Sequence, residues 1–405
     1  MTLRVCMMIY NYCPGPEGGS ERQCRKLSIA LGRRGVAPTV LTTRASRGIT
    51  WSETDQAVRI VRMPTLDMLY RKPSAGARDA RRVKPLLPEG RAAGITAGMT
   101  AWCNALLFQA SAAIYLILHR RSFDLLHVHT AEWIAGFAVW MGNLLRKPVL
   151  CKVATLPVLP SINRNIPLRA VWDRLRRHAE FVALNEAMAK ELRESGVPDE
   201  RIHVIPNGVD LPRIAERNED SRLVLFVGNL TQSIWKAFDV LFDAWGQVHR
   251  VMPSARLAVL GSGDCSPWER HLEERGCRDS VSFEGFVCNV DTFYRRAALL
   301  ALPSRQEGMS NVLLESQSWG IPAVVSDIAG NQSVVHNGIN GFLVPVNDTD
   351  ALASGIIRLL QDPALRVVMG REARRMVERL HAIDSVADQT RRIYEILTRP
   401  SIGAK

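Results

Sequence analysis

The sequence lacks the paired cysteines, low-complexity stretches and short repeats that mark several common protein classes. Its 405 residues include eight cysteines, but none forms a Cys-x-x-Cys pair, which excludes zinc-ribbon and thioredoxin motifs. Glycine (28 residues) and proline (21) are near average usage, which excludes a collagen-like or linker chain. With 47% hydrophobic and 23% charged residues, the composition is that of a globular protein long enough for two domains.

Negative charge is scarce in the first half of the chain. Residues 1–200 contain 29 Lys and Arg against 16 Asp and Glu, whereas residues 201–405 contain 23 against 24. The net charge of +12 therefore belongs to the first half, and it indicates an anionic partner such as nucleic acid, an acidic membrane surface or an anionic substrate. Seven basic residues lie in residues 71–91, which predicts a basic loop inserted there. No helix-turn-helix, zinc or RNA-binding motif accompanies the charge, so nucleic acid is not expected.

Neither a signal peptide nor a membrane span is predicted. The apolar residues 3–9 are too few for a signal sequence and are predicted to form the first strand. Residues 95–118 carry no charge and are long enough to span a bilayer, but polar residues such as Asn104 and Gln109 interrupt them. We expect a helix that is either buried or lies at a membrane surface. The cysteine usage fits a reducing compartment, so we expect a cytoplasmic protein, either soluble or peripheral at the inner face of the membrane.

Short apolar runs alternate with helical patterns along the whole chain. Runs separated by helices indicate βαβ units and parallel sheets, and two such series indicate two doubly wound α/β domains. Ligands of such domains bind at the carboxyl ends of the strands. The turn-rich residues 206–210 are the predicted boundary. The predicted strands are residues 3–9, 36–42, 58–63, 123–128, 149–153, 181–184 and 202–205, followed by 223–227, 256–260, 281–283, 299–302 and 323–326.

Residues 303–315 contain the strongest chemical motif. Glu307 and Glu315 stand eight positions apart, after an apolar strand and across a predicted helix start. Gly308 permits close approach of the backbone, and a helix N-terminus offers free N–H groups to a phosphate. A carboxylate one to two turns into the helix can accept hydrogen bonds from a ribose diol. Glu186 and Glu194 have the same separation, so the spacing alone is not specific. The prediction depends on the apolar strand before Glu307 and on the Glu-Gly pair at the turn.

This stretch resembles the Glu-x7-Glu motif of retaining glycosyltransferases of the GT-B fold, family 4. Other segments resemble motifs of the family in the same order over nearly the whole chain. They are residues 18–21, 124–129, 205–210, 226–239, 260–263 and 341–344. The resemblance implies two doubly wound, Rossmann-like domains facing across a cleft. It implies an acceptor-binding domain over residues 1–205, a nucleotide-sugar-binding domain over residues 206–382, and a C-terminal helix over residues 383–405 that returns to the first domain.

The resemblance also implies a function and a set of site residues. The function is retaining transfer of a sugar from a nucleotide diphosphosugar to a saccharide or lipid-linked acceptor, in cell-envelope or exopolysaccharide synthesis. The family needs no cofactor and has no Asp-x-Asp metal site, and neither is expected here. The implied catalytic residues are His129, Glu307 and Lys236. His129 is expected to contact the transferred sugar, Glu307 to contact the hydroxyls of that sugar, and Lys236 to contact the diphosphate. The implied donor-binding residues are Gly18, Gly19, Gly228, Asn229, Lys236, Gly263, Glu307, Gly308, Met309, Ser310, Asn311 and Glu315, the last at the ribose.

One position departs from the family pattern. The family usually places an arginine after the glycine that Gly228 matches, whereas this sequence has Asn229. Lys236 is then the evident side-chain cation of that loop. A non-catalytic nucleotide-sugar-binding subunit and a nucleotide-sugar epimerase of the GT-B type are the alternatives.

In the first domain, strand alternation is taken to place His127 on the face opposite His129, so that His127 is expected to be structural.

Overall fold

The computed structural model describes residues 2–13, 18–44, 48–66, 91–131, 133–154, 169–213 and 220–399. Residues 71–90 of the predicted basic loop lie outside these ranges. The chain forms two compact units. Unit 1 contains Met1–Ile205 together with Asp384–Lys405, and unit 2 contains Pro206–Ile383.

An eight-stranded sheet forms the centre of unit 1. Its strands are β1 (Arg4–Met8), β2 (Ala37–Thr43), β3 (Ser52–Asp55), β4 (Val58–Met63), β5 (Leu125–Val128), β6 (Val149–Lys152), β7 (Glu180–Ala183) and β8 (Ile202–Val204). Their order in the sheet is β3-β4-β2-β1-β5-β6-β7-β8. All neighbours are parallel except β3 and β4. The inner strands β5 and β6 are buried along their whole length, as strands covered on both faces are.

Strand β3 is missing from the strands predicted by sequence. Its four residues are polar and none of them is buried, so they carry no apolar pattern. Pairing with β4 supplies the backbone hydrogen bonds, and Glu53 forms an ion pair with the buried guanidinium of Arg62. Strand β3 therefore depends on pairing with β4, and this pairing cannot be predicted from the local sequence of β3.

A six-stranded parallel sheet forms the centre of unit 2. Its strands are β9 (Leu223–Val227), β10 (Arg256–Leu260), β11 (Val281–Gly285), β12 (Leu299–Leu302), β13 (Ala323–Ser326) and β14 (Gly341–Val344). The order is β11-β10-β9-β12-β13-β14, and every neighbouring pair is parallel. Five of these strands agree with the prediction. The edge strand β14 is short and was not predicted as a strand.

Helices connect the strands in both units, which gives the predicted βαβ organisation. In chain order they are α1 (Gly19–Arg33), α2 (Arg91–Leu118), α3 (Trp133–Leu145), α4 (Arg169–His178), α5 (Glu186–Glu194), α6 (Ser233–Lys236), α7 (Phe238–Val251), α8 (Ser266–Glu274), α9 (Asp291–Tyr294), α10 (Asn311–Ser318), α11 (Ala329–Gln332), α12 (Thr349–Gln361), α13 (Pro363–Leu380) and α14 (Ile383–Thr398).

Helix α14 is anchored to the end of α1 within unit 1. Arg34 follows α1 directly, and its guanidinium donates to Asp384 at 2.8 Å and to Asp388 at 2.7 Å. The opposite side of α14 is buried, with Val386, Ala387, Thr390 and Tyr394 forming a stripe at helical spacing. Helix α14 is therefore part of the core of unit 1.

Helix α2 packs one face into unit 1 and exposes apolar side chains on the other. Phe108, Ala112 and Leu116 are spaced by four residues and fully buried. The exposed apolar residues are Trp102, Leu106, Leu107, Ile114, Ile117 and Leu118. The uncharged segment is thus a core helix that also keeps an apolar surface. Within the described ranges, no helix has the length and hydropathy needed to cross a bilayer.

We predict that Gly370→Ala destabilises unit 2. Gly370 lies in α13, and a Cβ there would come within 2.2 Å of the carbonyl oxygen of Gly320. We expect the free energy of unfolding to fall by about 1–3 kcal/mol, the usual cost of overpacking. Urea denaturation followed by circular dichroism measures it.

The matched control is Gly246→Ala in α7, where the nearest atoms are Arg275 side-chain carbons at 3.5 Å. Alanine is favoured over glycine in a helix by roughly 1 kcal/mol, so this variant should keep or gain stability. Equal losses in the two variants would contradict the steric explanation.

Candidate functional site

In unit 2, Lys236 and Glu307 form an ion pair at the carboxyl ends of two neighbouring strands. Lys236 ends α6, which follows β9, and Glu307 lies in the loop after β12, the parallel neighbour of β9. The Nζ of Lys236 lies 2.5 Å from Oε1 of Glu307, which also accepts a hydrogen bond from Ser304 Oγ at 3.0 Å. The two charged side chains are 15% and 14% exposed, so salt screens their attraction only weakly.

Arg305 fastens the same two loops together. Its guanidinium donates to both carboxylate oxygens of Asp239, at 3.1 and 2.6 Å, and its Nε donates to Asn347 Oδ1 at 2.7 Å. It also donates to the carbonyl of Ile234 at 2.8 Å, and the backbone N–H of Arg305 donates to the carbonyl of Trp235 at 2.8 Å. Burial tends to raise the pKa of Asp239, but the hydrogen bonds from Arg305 hold that pKa below its usual range.

Gly228, Asn229 and Gly263 lie where two strand-end loops of unit 2 touch. At Gly261, where φ is +153°, a Cβ would come within 2.0 Å of the carbonyl oxygen of Gly228. Gly263 also has a positive φ, +136°, and a Cβ there would come within 2.7 Å of the other loop. Asn229 Oδ1 accepts hydrogen bonds from the N–H and Oγ of Ser262, both at 3.2 Å. The residue in the place of the usual arginine therefore joins the loops and brings no charge.

Helix α10 begins within the predicted motif. Ser310 caps it, because its Oγ accepts a hydrogen bond from the N–H of Leu313 at 3.3 Å. Asn311 Oδ1 accepts from Asn207 Nδ2 at 2.9 Å, and the N–H of Asn207 donates to the sulfur of Met309 at 3.3 Å. Asn207 belongs to the predicted boundary segment, so that segment packs on the motif inside unit 2.

Glu315 lies about one turn into α10. Its Oε2 accepts a hydrogen bond from the hydroxyl of Tyr294 at 3.3 Å, while the side chain stays partly exposed. The turn that contains Gly308 is covered closely by α11. A Cβ at Gly330 would come within 2.3 Å of the carbonyl oxygen of Glu307 and 3.0 Å of that of Gly308. Close packing thus fixes the turn between the two glutamates.

One Asp-x-Asp triplet occurs in the chain, at Asp348 and Asp350. Both carboxylates have local structural partners. Asp348 caps α12 by accepting from the N–H of Ala351 at 2.8 Å, and Asp350 accepts from Gln247 at 2.6 Å. The triplet is therefore a helix start. Within the described part of the chain, no group of three His, Cys, Asp or Glu is placed to hold a metal ion.

Unit 1 contains Gly18, Gly19 and His129. Gly18 and Gly19 begin α1 after β1, and His129 follows β5, the parallel neighbour of β1. His129 is 1% exposed, and neither ring nitrogen has a hydrogen-bond partner in the described structure. Burial, with smaller effects of His127 and Lys152, lowers the pKa of His129 well below its ordinary value. The imidazole is therefore neutral at pH 7.

The expectation that His127 points away from His129 is wrong. Their rings are stacked, with centroids 4.3 Å apart and planes inclined by 27°. Residues two apart in a strand share a face, so correct use of the alternation places both side chains together. His127 does have a structural partner, since its Nδ1 lies 2.5 Å from the hydroxyl of Tyr394.

The structure joins the predicted residues of unit 2 in small connected groups. Gly228, Asn229 and Gly263 form one group, Lys236 and Glu307 a second, and the start of α10 a third. Sequence reasoning missed the roles of Arg305, Tyr294 and Gly330. For Arg305 the available signal was its position inside the motif, two residues before the glutamate.

Two family models match the chain in tandem. The model described as "Glycosyl transferase 4-like domain" matches residues 18–208, and the model described as "Glycosyl transferases group 1" matches residues 221–362. The first match begins at the start of α1, extends through β8 and ends three residues into unit 2, and the second match lies in unit 2. Strand β1 precedes the first match.

Individual proteins agree with these matches. In an alignment of 420 positions, the chain is 28% identical to D-inositol 3-phosphate glycosyltransferase of Xylanimonas cellulosilytica. The alignment covers 92% of this chain and 91% of the relative. It is 24% identical to UDP-Gal:alpha-D-GlcNAc-diphosphoundecaprenol alpha-1,3-galactosyltransferase of Escherichia coli, covering 63% and 71%. The structure of HepE from Anabaena in complex with UDP-glucose has the same fold, with a TM-score of 0.72 at 16% identity, covering 97% and 100%. The chain therefore belongs to the GT-B glycosyltransferases of family 4.

Proposed function

We propose that this glycosyltransferase moves a sugar from a nucleotide diphosphosugar to a saccharide or lipid-linked acceptor, with retention of anomeric configuration. The ion pair of Lys236 and Glu307 beside the start of α10 is the observation that carries the proposal. The relatives support the substrate classes. One is named for a UDP-galactose donor and a diphosphoundecaprenol-linked acceptor, another for inositol 3-phosphate, and HepE is solved with UDP-glucose.

In the proposed complex, Lys236 and the N–H groups of residues 308–311 bind the diphosphate. A lysine ammonium is a compact charge for phosphate, and the free N–H groups of a helix start add a favourable dipole. Once Lys236 turns toward the diphosphate, the carboxylate of Glu307 is free to accept hydrogen bonds from sugar hydroxyls. Glu315 binds the ribose hydroxyls, and the neutral His129 binds a hydroxyl of the transferred sugar.

The proposed chemical step is attack on the face from which the leaving group departs. The acceptor oxygen bonds to the anomeric carbon while the bond from that carbon to the donor phosphate oxygen breaks. The hydroxyl proton of the acceptor passes to the same phosphate oxygen. Lys236 stabilises the charge that develops on the leaving diphosphate, which is where a fixed cation lowers the barrier. In the complex the carboxylate of Glu307 accepts hydrogen bonds from sugar hydroxyls, so it is not assigned as a nucleophile.

A product assay tests this proposal. Purified enzyme is incubated with UDP-, GDP- and ADP-sugars and with a membrane extract that supplies saccharide and lipid-linked acceptors. We expect one nucleotide to be released together with a glycosylated product, whose anomeric configuration by NMR equals that of the donor. An epimerised sugar formed without acceptor would indicate an epimerase, and donor binding without turnover would indicate a non-catalytic subunit. Inversion at the anomeric carbon would overturn the retaining step.

We place the reaction in the cytoplasm and in cell-envelope or exopolysaccharide synthesis. All eight cysteines lie in the described part of the chain and none forms a disulfide, which supports a reducing compartment. The lipid-linked acceptor named for the Escherichia coli relative supports an envelope role.

We also propose that unit 1 binds an anionic membrane through an exposed apolar face of α2 and α3, two helices that pack together. This surface, the α2–α3 face, consists of Trp102, Leu106, Leu107, Ile114, Ile117, Leu118, Trp140 and Leu144. Large exposed apolar patches are uncommon on soluble monomeric proteins, and they usually mark a surface that binds another protein or a membrane. A helix with such a face can lie in the interface of a bilayer without spanning it.

Basic residues at the ends of both helices favour an anionic bilayer as the partner. Arg120 and Arg121 follow α2 and are exposed, and Arg146 and Lys147 follow α3. Both helices lead into neighbouring parallel strands, β5 and β6, so these four residues lie at one edge of the sheet. Each such charge contributes on the order of 1 kcal/mol at an anionic surface.

We predict that Glu315→Ala raises the donor KM and lowers kcat/KM by about tenfold. The ribose would lose a charged hydrogen-bond acceptor worth about 1.5–3 kcal/mol. Steady-state kinetics with varied donor measures the change, and the release of nucleotide gives the rate. The matched control is Glu186→Ala, which removes a glutamate 76% exposed on α5 and should leave the kinetics unchanged. Wild-type donor kinetics in Glu315→Ala would remove the ribose role.

We predict that turnover needs no divalent metal. Lys236 and the helix N–H groups supply the positive potential that a metal ion supplies in other transferases. Activity should be unchanged after dialysis against EDTA and should not rise when Mg²⁺ or Mn²⁺ is added. A rate abolished by EDTA and restored only by one of these ions would contradict the prediction.

We predict that the protein co-sediments with liposomes that contain anionic lipid, and that binding falls with salt because exposed charges are screened. Trp140→Gln with Leu118→Gln should weaken binding, since both side chains are exposed and belong to the α2–α3 face. Val368→Gln on α13 is the control, because Val368 is equally apolar and 58% exposed in unit 2. Dimerisation lost in the double variant, with no lipid binding in the wild type, would show that a second copy covers this face.

A further inference from the structure

Two buried histidines and a buried tyrosine form a continuous cluster in unit 1. His127 and His129 are each 1% exposed, and their rings stack with centroids 4.3 Å apart. Tyr394, from the last helix of the chain, meets His127 edge-on with ring centroids 5.7 Å apart and planes at 74°. Its hydroxyl lies 2.5 Å from Nδ1 of His127, across 267 positions of sequence. His127 therefore lies between the tyrosine and the second histidine.

Both partners of this hydrogen bond are neutral, so its direction follows from their relative strengths as donor and acceptor. Burial raises the pKa of Tyr394 well above its ordinary value, so the hydroxyl keeps its proton. Burial, helped by the charge of Lys152, lowers the pKa of His127 to about 3, so its ring is neutral. In the described structure, Nδ1 of His127 is the hydrogen-bond partner of the Tyr394 hydroxyl. A phenol O–H is a stronger donor than the N–H of a neutral imidazole, and the imidazole nitrogen is the stronger acceptor. We therefore assign the O–H as the donor to Nδ1, which leaves the one ring proton of His127 on Nε2.

His129 depends on this arrangement for its orientation. Neither of its ring nitrogens has a hydrogen-bond partner in the described structure, so the imidazole is held by packing, and the stacked His127 ring forms part of that packing. Buried polar atoms without partners are costly, and they are expected where a ligand completes the bonding. Fixing His127 thus fixes the neighbouring ring, whose two nitrogens have no hydrogen-bond partner in the described structure.

We propose that Tyr394 is a positioning residue for His129 and acts through the orientation and tautomer of His127. This inference rests on the proposed contact of His129 with the transferred sugar. The C-terminal helix α14 thereby takes part in the sugar site without touching substrate. Arg34 sets the position of that helix through Asp384 and Asp388, which keeps Tyr394 within reach of His127.

The experiment is a double-mutant cycle of Tyr394→Phe and His129→Ala in the full-length enzyme. Tyr394→Phe keeps the ring and removes only the hydroxyl. We expect it to lower kcat by about fivefold to tenfold in the wild-type background, the scale of one buried hydrogen bond. In the His129→Ala background it should have no further effect, because its action passes through that ring. The matched control is Tyr115→Phe, since Tyr115 also stacks on a histidine, with ring centroids 4.1 Å apart, but lies on α2.

A second measurement follows the tautomer directly. Nitrogen-15 NMR of the histidine rings should show His127 as the Nε2–H tautomer in the wild type and a mixture of tautomers in Tyr394→Phe. An unchanged His127 tautomer, or equal losses of kcat in both backgrounds, would overturn the proposal.

The outcomes separate this inference from the proposed function. If the wild type transfers sugar and His129→Ala is as active as the wild type, the positioning role fails while glycosyl transfer stands. If the wild type turns over no donor of the panel, the proposed function fails, and an unchanged tautomer in Tyr394→Phe would then reject the positioning role separately.

Discussion

The site of unit 2 depends on the ion pair between Lys236 and Glu307. A lysine at the end of a one-turn helix and a glutamate in a loop would each move freely if they were alone. At 2.5 Å, and mostly out of solvent, each restricts the other. Partly buried pairs gain more from their attraction than exposed ones, but they need further hydrogen bonds to offset lost hydration. Ser304 provides one to Glu307, and Arg305 holds the two loops at the distance that the pair requires.

This arrangement also explains how the chain accommodates Asn229. The family arginine would bring a second cation to the loop after β9. Here the amide of Asn229 joins that loop to Ser262 of the next one, where two glycines allow the backbones to touch. The nearby guanidinium, Arg305, is occupied by Asp239, Asn347 and a backbone carbonyl. At this position the chain therefore has a hydrogen-bonded contact between two loops in place of a charge, and Lys236 is the evident side-chain cation of the loop after β9.

The candidate site residue of unit 1 is a buried neutral histidine, whereas those of unit 2 include a charged pair. His127 and His129 lie at a fully buried strand end, and burial keeps both rings neutral. A neutral imidazole can accept one hydrogen bond and donate one, which suits the hydroxyls of a sugar better than two donors would. The α2–α3 face belongs to the same unit, on helices that lead into β5 and β6. The half of the chain that has few acidic residues is thus also the half that carries the exposed apolar α2–α3 face.

Features that repeat along the chain were determined by the sequence alone. The twelve predicted strands, the parallel pairing of most neighbouring strands and the family are examples, since buried parallel strands are apolar runs and the motifs are collinear. Tertiary structure alone decided the features that join distant positions. Arg305 meets Asp239 across 66 residues and Tyr394 meets His127 across 267, and no local pattern encodes such pairs. Strand β3 and the two faces of α2 were decided in the same way, because burial depends on which neighbour covers a residue, and that is a property of the folded chain.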